Sequence, residues 1–409
     1  MSAMETNKLR SSNTARKLLL QNAEIVLPDK VLYDASILIK SGRISSVHPA
    51  NEHPEGDADG ILRLDGLRVF PGFIDVHIHG SVGVDTMTAN KDDLERVSRF
   101  LAAQGVTAWL PTLVPAAMSD YSRAVGAIEA LMQQQAREEV PQGARVLGVH
   151  YEGPFVNASQ CGALHSAFFK TFSGVGDIET LPAPRASNAI KMMTLAPEVP
   201  GAINLTRELV DRGWIVAIGH TQAGLKELEL AFSAGARHLT HFMNAMPPLH
   251  HRAPGPVGWG LTKKEVTLDL IADGVHVDPL VLQLLLQAKG TEGVTLISDA
   301  IAAAGMGDGD YKIWGETISV KGGRTSNGKG SIAGSVITML HAMRMMRSLG
   351  VSEMQLAKMA STNPARLLRI DQLHGSIEVG KDADLVAIDE QGVVRLVMLA
   401  GHPLLMPAT

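Results

Sequence analysis

The chain has 409 residues, of which 45% are hydrophobic and 19% are charged, so it can bury a sizeable core. Its formal net charge of −5 argues against a nucleic-acid groove and a polybasic membrane-binding face, because both need clustered Lys and Arg. The single cysteine, Cys161, rules out an intramolecular disulfide and fits a reducing compartment. No apolar run has the length of a signal peptide or a membrane span. We therefore expect a cytoplasmic protein without nucleic-acid or membrane partners.

The two terminal segments have strand-like patterns. Residues 1–16 are rich in Ser, Asn and Lys, which predicts a disordered tail. Residues 17–70 alternate apolar and polar positions between turn signals such as Pro28-Asp29, and residues 371–409 return to that alternation. We predict that these two segments join as one small β-sandwich module.

Residues 71–370 alternate short β-rich runs with amphipathic helices, a pattern typical of βα units around a parallel sheet. In the helical stretch 91–105, for example, Leu94, Val97 and Leu101 share one face. Eight candidate strands are FIDVHIHG, VTAWLPTL, RVLGVHYEG, AIKMMTLAPE, WIVAIGHT, HLTHFMNAM, VTLDLIADGVHV and VTLISDAI. The predicted fold is therefore of the α/β class, a (β/α)₈ TIM-type barrel flanked by the small β module.

Side chains that can bind metals fall at the ends of five of these strands. They are His77 and His79, Glu152, His220, His241, and Asp299. Each alone has an ordinary structural explanation, such as a helix N-cap for Asp299. The carboxyl ends of barrel strands meet at one mouth, however, so all six side chains are expected to converge there. Imidazole and carboxylate groups are ligands of Zn²⁺ and Fe²⁺, and the set therefore predicts a metal site.

The local sequence of each candidate fits such a site. His77 and His79 are two positions apart on a strand, so both imidazoles point to the same face. Gly153 follows Glu152 and ends its strand, which leaves a carboxylate able to bridge two ions at the lip. Asp299 has no cationic neighbour in sequence and is free to accept a proton beside a metal.

A series of motifs in a fixed order carries a family resemblance. The motifs are PGFIDVHIHG, HYEGPF, IGHTQA, HLTHFMNAMPPLHHRAPG, DGVHV, ISDAI, SIAGS and GKDADLV. In this order, from about residue 18 to residue 401, they resemble the N-acetylglucosamine-6-phosphate deacetylase family of the amidohydrolase superfamily. The first and last motifs are general amidohydrolase signals, whereas EGPF followed by THxxNAM, HHRxPG and DGxH is far more specific.

The resemblance implies a divalent metal centre with one or two ions per chain. The implied ligands of the metal present in all members are Glu152, His220 and His241. The implied further ligands in two-metal members are His77, His79 and Asp299, with Glu152 bridging. We expect Zn²⁺, although these nitrogen and oxygen ligands also accept Fe, Co or Mn.

The resemblance also implies catalytic and substrate-binding residues. Asp299 resembles the acid/base that takes a proton from water and later delivers one to the leaving amine. Arg252 resembles a phosphate clamp that reaches into the neighbouring subunit's site, which implies a homodimer. The other implied substrate contacts are Asn244, Ala245, His276, Ile332, Ala333 and Gly334.

The sequence departs from the family pattern at two places. The family often has a carbonyl-polarising His twelve residues after the metal-ligand Glu, whereas this chain has Leu164 there and His165 one position later. Either the loop is shifted and His165 polarises the acetyl carbonyl, which we favour, or the metal alone does so. Ala253 stands after Arg252, where relatives usually carry Glu.

The expected function is metal-dependent hydrolysis of N-acetyl-D-glucosamine 6-phosphate to D-glucosamine 6-phosphate and acetate, in amino-sugar catabolism or recycling. One alternative is an N-acetylgalactosamine-phosphate deacetylase, and another is a dihydroorotase- or aminoacylase-like amidohydrolase. The NAM and HHR motifs disfavour the latter, which needs no phosphate clamp. A metal-free scaffold of the same fold is disfavoured by the intact set of ligands.

Overall fold

The structure, a computed structural model, describes residues 17–50, 52 and 58–405. The predicted disordered tail, residues 1–16, lies outside the described residues. The chain first forms strands β1 (Lys17–Val26), β2 (Val31–Lys40), β3 (Arg43–His48), β4 (Gly60–Arg63) and β5 (Arg68–Pro71). Strand β1 pairs antiparallel with β2 from Lys17 opposite Lys40 to Val26 opposite Val31. The alternating apolar side chains of these strands are buried on one side of the sheet.

The barrel strands follow, in the positions that the sequence predicts. This region contains β6 (Phe73–Ile78), β7 (Gly80–Ser81), β8 (Val84–Asp85), β9 (Val106–Leu113), β10 (Arg145–Val146), β11 (Gly148–Glu152), β12 (Ile190–Leu195), β13 (Ile215–Ile218), β14 (His238–Leu239), β15 (Thr267–Ile271) and β16 (Val294–Ile297). Strands β7 and β8 form a small hairpin, and β10 extends beside β9. The other eight pair in parallel from β6 to β16. The Asp299 backbone N–H donates to the His77 carbonyl at 3.0 Å, which closes the barrel between β16 and β6. The predicted (β/α)₈ barrel is confirmed.

Helices cover the outside of the barrel. They are α1 (Lys91–Ala103), α2 (Met118–Gln135), α3 (Gly176–Glu179), α4 (Ala202–Asp211), α5 (Leu225–Ala234), α6 (Gly255–Thr262) and α7 (Pro279–Lys289). Helix α1 begins where the Asn90 side chain accepts from the backbone N–H groups of Asp92 and Asp93. Its predicted apolar face, which includes Leu94 and Leu101, is buried against the barrel.

An antiparallel insertion lies between the last barrel strand and the final helices. It comprises β17 (Gly309–Ile313), β18 (Glu316–Lys321) and β19 (Arg324–Ser326), and is followed by α8 (Met339–Ser348), α9 (Glu353–Ala357), a π-helical turn over residues 358–362, and α10 (Asn363–Leu367). Trp314 and Gly315 form the turn between β17 and β18. This turn lies above the mouth of the barrel, where Trp314 lines the cleft described below.

The C-terminal strands complete the first sheet. They are β20 (Leu385–Ile388), β21 (Val394–Leu399) and β22 (His402–Leu405). Strand β20 pairs antiparallel with β5, and the full order is β22-β21-β20-β5-β1-β2-β3, with β4 beside β1. The two terminal segments therefore build one small β module, as predicted. The structure further shows that the strands of this module are hydrogen-bonded to one another in one continuous sheet. Among the described helices, none is both long and apolar enough to cross a bilayer.

A buried carboxylate connects the β module to the barrel. Asp384, next to β20, accepts hydrogen bonds from the Arg145 guanidinium at 2.8 Å and from His374 Nδ1 at 2.9 Å. The Ala400 backbone N–H donates to its other oxygen at 2.8 Å. Burial by itself would raise the pKa of Asp384, but Arg145 and His374 outweigh it and lower that pKa to about 2. Asp384 is therefore ionised at neutral pH.

Candidate active site

A cleft opens at the carboxyl ends of the barrel strands. Most of the residues predicted from the sequence line it. These are His79, Glu152, Leu164, His220, His241, Asn244, Ala245, His276, Asp299, Ile332 and Gly334. His77 lies fully buried beneath His79, and Ala333 is buried beside the cleft.

One cluster at the base of the cleft contains Glu152, His220 and His241. The Glu152 Oε1 atom lies 2.8 Å from His220 Nε2 and 2.9 Å from His241 Nε2. The two Nε2 atoms are themselves only 3.1 Å apart. All three side chains are nearly inaccessible to solvent. Three potential ligand atoms therefore face one point from three different strand ends.

A second cluster shares Glu152 with the first. His77 Nε2 and His79 Nε2 lie 3.2 Å apart, and the Glu152 carboxylate lies 3.7 Å and 3.4 Å from them. The Asp299 Oδ1 atom approaches the same two nitrogens at 3.4 Å and 3.2 Å. The glutamate carboxylate thus lies between the two groups of histidines, where it could bridge two ions.

The donor geometry fits a cation better than hydrogen bonding alone. His220 Nδ1–H donates to the Gln160 carbonyl at 2.8 Å, so in the neutral ring the Nε2 lone pair faces the Glu152 oxygen. Two lone-pair atoms at this distance repel each other unless a positive charge lies between them. Two protonated rings with their Nε2 atoms 3.1 Å apart, as for His220 and His241, would also repel. Zinc–nitrogen bonds of ~2.0–2.1 Å in a tetrahedral site place ligand atoms about 3.3 Å apart, close to the observed spacings.

The charge states of Glu152 and His77 suit metal binding, whereas His241 must lose a proton to bind an ion. Burial would lower the pKa of His241, but Glu152 outweighs it and raises that pKa to about 9. Burial would raise the pKa of Glu152, but His220 and His77 outweigh it and lower the pKa well below its usual range. The glutamate is therefore an anion. Burial lowers the pKa of His77 well below its ordinary value, which keeps this imidazole neutral and able to donate a lone pair.

Three of the candidate metal ligands share an unusual backbone conformation. His220, His241 and Asp299 each lie two residues beyond the end of their strand, with φ of 47°, 30° and 48°. Non-glycine residues rarely adopt such angles, and those that do concentrate at functional sites. The conformation turns each side chain from the strand end towards the cleft.

Buried polar side chains that the sequence did not single out support the site. Asp273 accepts a 2.7 Å hydrogen bond from His276 Nδ1–H, which fixes the orientation of His276 at the cleft. Asp269 accepts a hydrogen bond from the His241 backbone N–H. Asp75 accepts from the Ser298 hydroxyl at 2.5 Å, next to Asp299. Asp273 belongs to the DGVHV motif and stands three positions before His276. An Asp at this spacing from a site His is the sequence signal that could have identified Asp273 as a supporting residue.

The structure does not bring His165 or Arg252 into the cleft of this chain. The His165 side chain is exposed, and its Nε2–H donates to the Trp314 carbonyl at 2.8 Å. Leu164 occupies the cleft instead. Arg252 is exposed beside α6, and the predicted contact of its guanidinium with a neighbouring subunit stays a prediction.

Trp314, Gly162 and Ala163 line the cleft although the sequence did not indicate them. The Trp314 ring meets the His79 ring edge-on, with centroids 5.3 Å apart and planes at 86°. A Trp-Gly pair between two alternating runs is a turn signal, but the sequence does not show where the turn folds back. Trp314 reaches the site only through long-range packing.

A (β/α)₈ barrel with histidines and carboxylates converging at its strand ends defines a metal-dependent hydrolase of the amidohydrolase type. Residues 68–404 match the amidohydrolase family, and the chain belongs to that family.

The chain is 36% identical over 397 residues to N-acetylglucosamine-6-phosphate deacetylase of Bacillus subtilis (strain 168), covering 95% of this chain and 97% of the relative. It is also 36% identical over 372 residues to N-acetylgalactosamine-6-phosphate deacetylase of Escherichia coli O157:H7, covering 91% and 95%. A solved structure of a Mycobacterium smegmatis N-acetyl-D-glucosamine-6-phosphate deacetylase mutant, in complex with N-acetyl-D-glucosamine-6-phosphate, superimposes with a TM-score of 0.85. That match has 32% identity and covers 96% of this chain and all of the other. These relatives confirm the family resemblance that the motifs carry.

Proposed function

We propose that the protein hydrolyses the acetamide of N-acetyl-D-glucosamine 6-phosphate, giving D-glucosamine 6-phosphate and acetate. The observation that carries this proposal is the cleft with two histidine clusters that share Glu152 and adjoin Asp299. The relatives, whose names specify deacetylation of 6-phosphorylated N-acetyl sugars, give the substrate class. The reaction belongs to amino-sugar catabolism or recycling. We place it in the cytoplasm, which suits a chain with a single cysteine.

We assign Glu152, His220 and His241 to one divalent ion and His77, His79 and Asp299 to a second, with Glu152 shared. A bound ion of this kind supplies an activated nucleophile at neutral pH and stabilises negative charge on the acetyl oxygen. Zn²⁺ is the expected ion, because imidazole and carboxylate are ligands that it accepts. One or two ions per chain are compatible with the two clusters.

Asp299 is the proposed acid/base. Its carboxylate lies 3.2 Å from His79 and faces the cleft, with its side chain about 10% exposed. This position allows it to take a proton from the attacking water and later deliver one to the amine, which leaves poorly unless it is protonated. Its Oδ1 atom lies 3.4 Å from His77 Nε2 and 3.2 Å from His79 Nε2, spacings that suit three ligands of one ion.

The sugar and phosphate contacts are assigned to the rim of the cleft. Their proposed residues are Asn244, Ala245, His276, Ile332, Ala333 and Gly334. Arg252 is assigned to the phosphate in the neighbouring site of a homodimer, because a planar guanidinium binds phosphate through two parallel hydrogen bonds. Its exposure leaves it available for that contact.

The acetyl carbonyl is polarised either by His165 or by the metal alone. The positions of His165 and Leu164 support the metal alone. His165 donates its Nε2–H to the Trp314 carbonyl and does not line the cleft. Leu164, which occupies the family's histidine position, can only offer an apolar contact to the acetyl group.

The test is acetate release by the purified, Zn²⁺-loaded protein. Three substrates are compared: N-acetylglucosamine 6-phosphate, its galactosamine epimer, and unphosphorylated N-acetylglucosamine. We expect the highest kcat/KM for the first. The Escherichia coli relative makes the epimer the relevant second candidate, and a preference for it would replace the proposed substrate. No acetate release from any of the three would overturn the proposal.

A further inference from the structure

The turn between β17 and β18 has an unusual residue at its tip. Trp314 and Gly315 are its two central residues, with φ of 52° and 79°. Positive φ at both positions is the geometry of a type I′ hairpin turn, in which Asn-Gly is strongly preferred. A bulky aromatic residue is disfavoured there, so its presence points to a use for the ring.

The Trp314 ring is placed at the reacting end of the cleft. It packs edge-on against His79, with ring centroids 5.3 Å apart, and it lines the same cavity as Glu152 and Asp299. The acetyl carbon must lie within reach of Asp299 and the adjoining ligands when it is attacked. An acyl chain attached to that carbon therefore extends into the space that the indole ring borders.

The hairpin tip is held in place by two kinds of contact. Ile313 and Ile318, which flank the tip, are buried in the same hydrophobic cluster as Ile301. In addition, His165 donates a 2.8 Å hydrogen bond to the Trp314 carbonyl. The bond ties the tip to the loop that carries Leu164, a second apolar side chain of the cleft. The ring is thus a fixed wall of the cavity.

We propose that Trp314 and Leu164 form the wall of the acyl subsite, and that Trp314 limits the substrate to a short acyl group such as acetyl. This inference rests on the proposed function, because it specifies which N-acyl sugar phosphates the cleft accepts. An apolar wall favours a methyl group, and a rigid one excludes chains with further methylenes. His165 acts as a positioning residue that holds the hairpin against the loop.

The test uses Trp314→Asn, which removes the ring and supplies the residue that the turn prefers, so the hairpin stays formed. We would measure kcat/KM for N-acetyl-, N-propionyl- and N-butyryl-glucosamine 6-phosphate with the Zn²⁺-loaded wild type and variant. The propionyl-to-acetyl ratio is expected to rise on the order of 10- to 200-fold, the range for one methylene in a tight pocket. Trp314→Phe should give an intermediate ratio.

Glu316→Ala is the matched control, since Glu316 is exposed on the same hairpin just beyond the turn. Its ratio should equal that of the wild type. The midpoint temperature of thermal unfolding (Tm) is measured for all variants. If Trp314 is a steric wall, the propionyl-to-acetyl ratio follows the size of the side chain at position 314, whatever the Tm of the variant. If Trp314 has only a structural role, the ratio does not follow side-chain size independently of Tm. A second readout needs no turnover. Calorimetry measures the dissociation constant of N-propionyl-glucosamine 6-phosphate for the Asp299→Asn variant and for the double variant Asp299→Asn, Trp314→Asn.

Two results would overturn the inference in distinguishable ways. An unchanged propionyl-to-acetyl ratio in Trp314→Asn, with an active wild type, overturns the role of Trp314 and leaves the proposed function standing. No acetate release by the metal-loaded wild type from either hexosamine 6-phosphate overturns the proposed function and the inference with it.

Discussion

At the scale of single residues, two carboxylates at the barrel mouth have different surroundings. Glu152 is surrounded by four imidazoles and is almost fully buried. The Asp299 carboxylate lies 3.4 Å and 3.2 Å from His77 and His79, and its side chain reaches the cleft. A buried carboxylate among neutral or cationic ligands suits metal bridging, whereas one at the cavity surface can exchange a proton with substrate and water. The proposed division of roles follows from these positions.

Asp299→Asn should therefore reduce turnover much more than metal content. Loss of a general acid/base typically costs 10²- to 10⁴-fold, and we expect kcat for acetate release to fall within that range. Metal per chain, measured by elemental mass spectrometry, should stay near the wild-type value, because the Asn side-chain oxygen can still act as a ligand beside His77 and His79. The exposed Asp211→Asn on α4 serves as the control. Near-normal kcat in the Asp299 variant would place the acid/base elsewhere.

Arg252→Gln should act on phosphate recognition alone. If Arg252 holds the phosphate of a neighbouring site, the variant should raise KM for the 6-phosphorylated sugar tenfold or more, since charge-assisted hydrogen bonds contribute ~1.5–3 kcal/mol. Weak hydrolysis of the unphosphorylated sugar should stay unchanged. The surface variant Arg207→Gln should resemble the wild type. An equal effect on both substrates would rule out the phosphate role.

At the scale of elements, sequence patterns predict the barrel well but do not predict where the antiparallel insertion β17–β19 packs. Strands such as β9 and β16 are short buried apolar runs between helices, and that pattern is local. The ligand positions follow from the strand ends, because parallel strands bring those ends together. The hairpin carrying Trp314 is different. Its position above His79 depends on packing against residues distant in sequence, which periodicity does not encode.

The start of β11, the strand that positions Glu152, depends on a glycine. Gly148 has φ of 153°, and a Cβ at this position would lie 1.9 Å from the Ile190 carbonyl oxygen of β12. Because that oxygen belongs to the backbone, the strands would have to separate to admit a side chain. Only glycine fits the observed pairing of β11 with β12.

Gly148→Ala should lower the free energy of unfolding by about 3 kcal/mol or more, at or above the usual cost of overpacking. Denaturant unfolding monitored by circular dichroism would measure this. Gly126→Ala is the control, because a Cβ at Gly126 in helix α2 meets nothing within 4 Å. It should stabilise by ~0.5–1 kcal/mol through helix propensity. Unchanged stability of the Gly148 variant would contradict the described strand pairing.

At the scale of the whole molecule, the barrel and the β module are joined by more than strand β5. The ion pair of Asp384 with Arg145 connects a C-terminal residue to the barrel strand β10. His374 donates to the same carboxylate oxygen. The folded-state pKa of about 2 lies below the ordinary value of 3.8, so ionisation of Asp384 favours the folded state.

Asp384→Asn should lower the free energy of unfolding at pH 7 by about 2 kcal/mol, the equivalent of this pKa difference. Because the folded-state pKa is depressed, the wild-type advantage is complete above about pH 4 and is lost as the pH falls towards 2. Unfolding curves at several pH values would show the two proteins converging. As a control, Glu208→Gln removes a 3.9 Å surface pair with Arg212 and should cost ~1 kcal/mol or less. If the stability difference between the wild type and Asp384→Asn stays unchanged at low pH, ionisation of Asp384 is not its cause.

The central claim is that the clustered histidines and Glu152 hold a metal that supports deacetylation of a hexosamine 6-phosphate. The most direct test is to strip the protein of metal, titrate it with Zn²⁺, and follow acetate release from N-acetylglucosamine 6-phosphate at each addition. We predict no release without metal and a rise that saturates at one or two equivalents per chain. Full activity of the metal-free protein, or no acetate at any Zn²⁺ concentration, would contradict the claim.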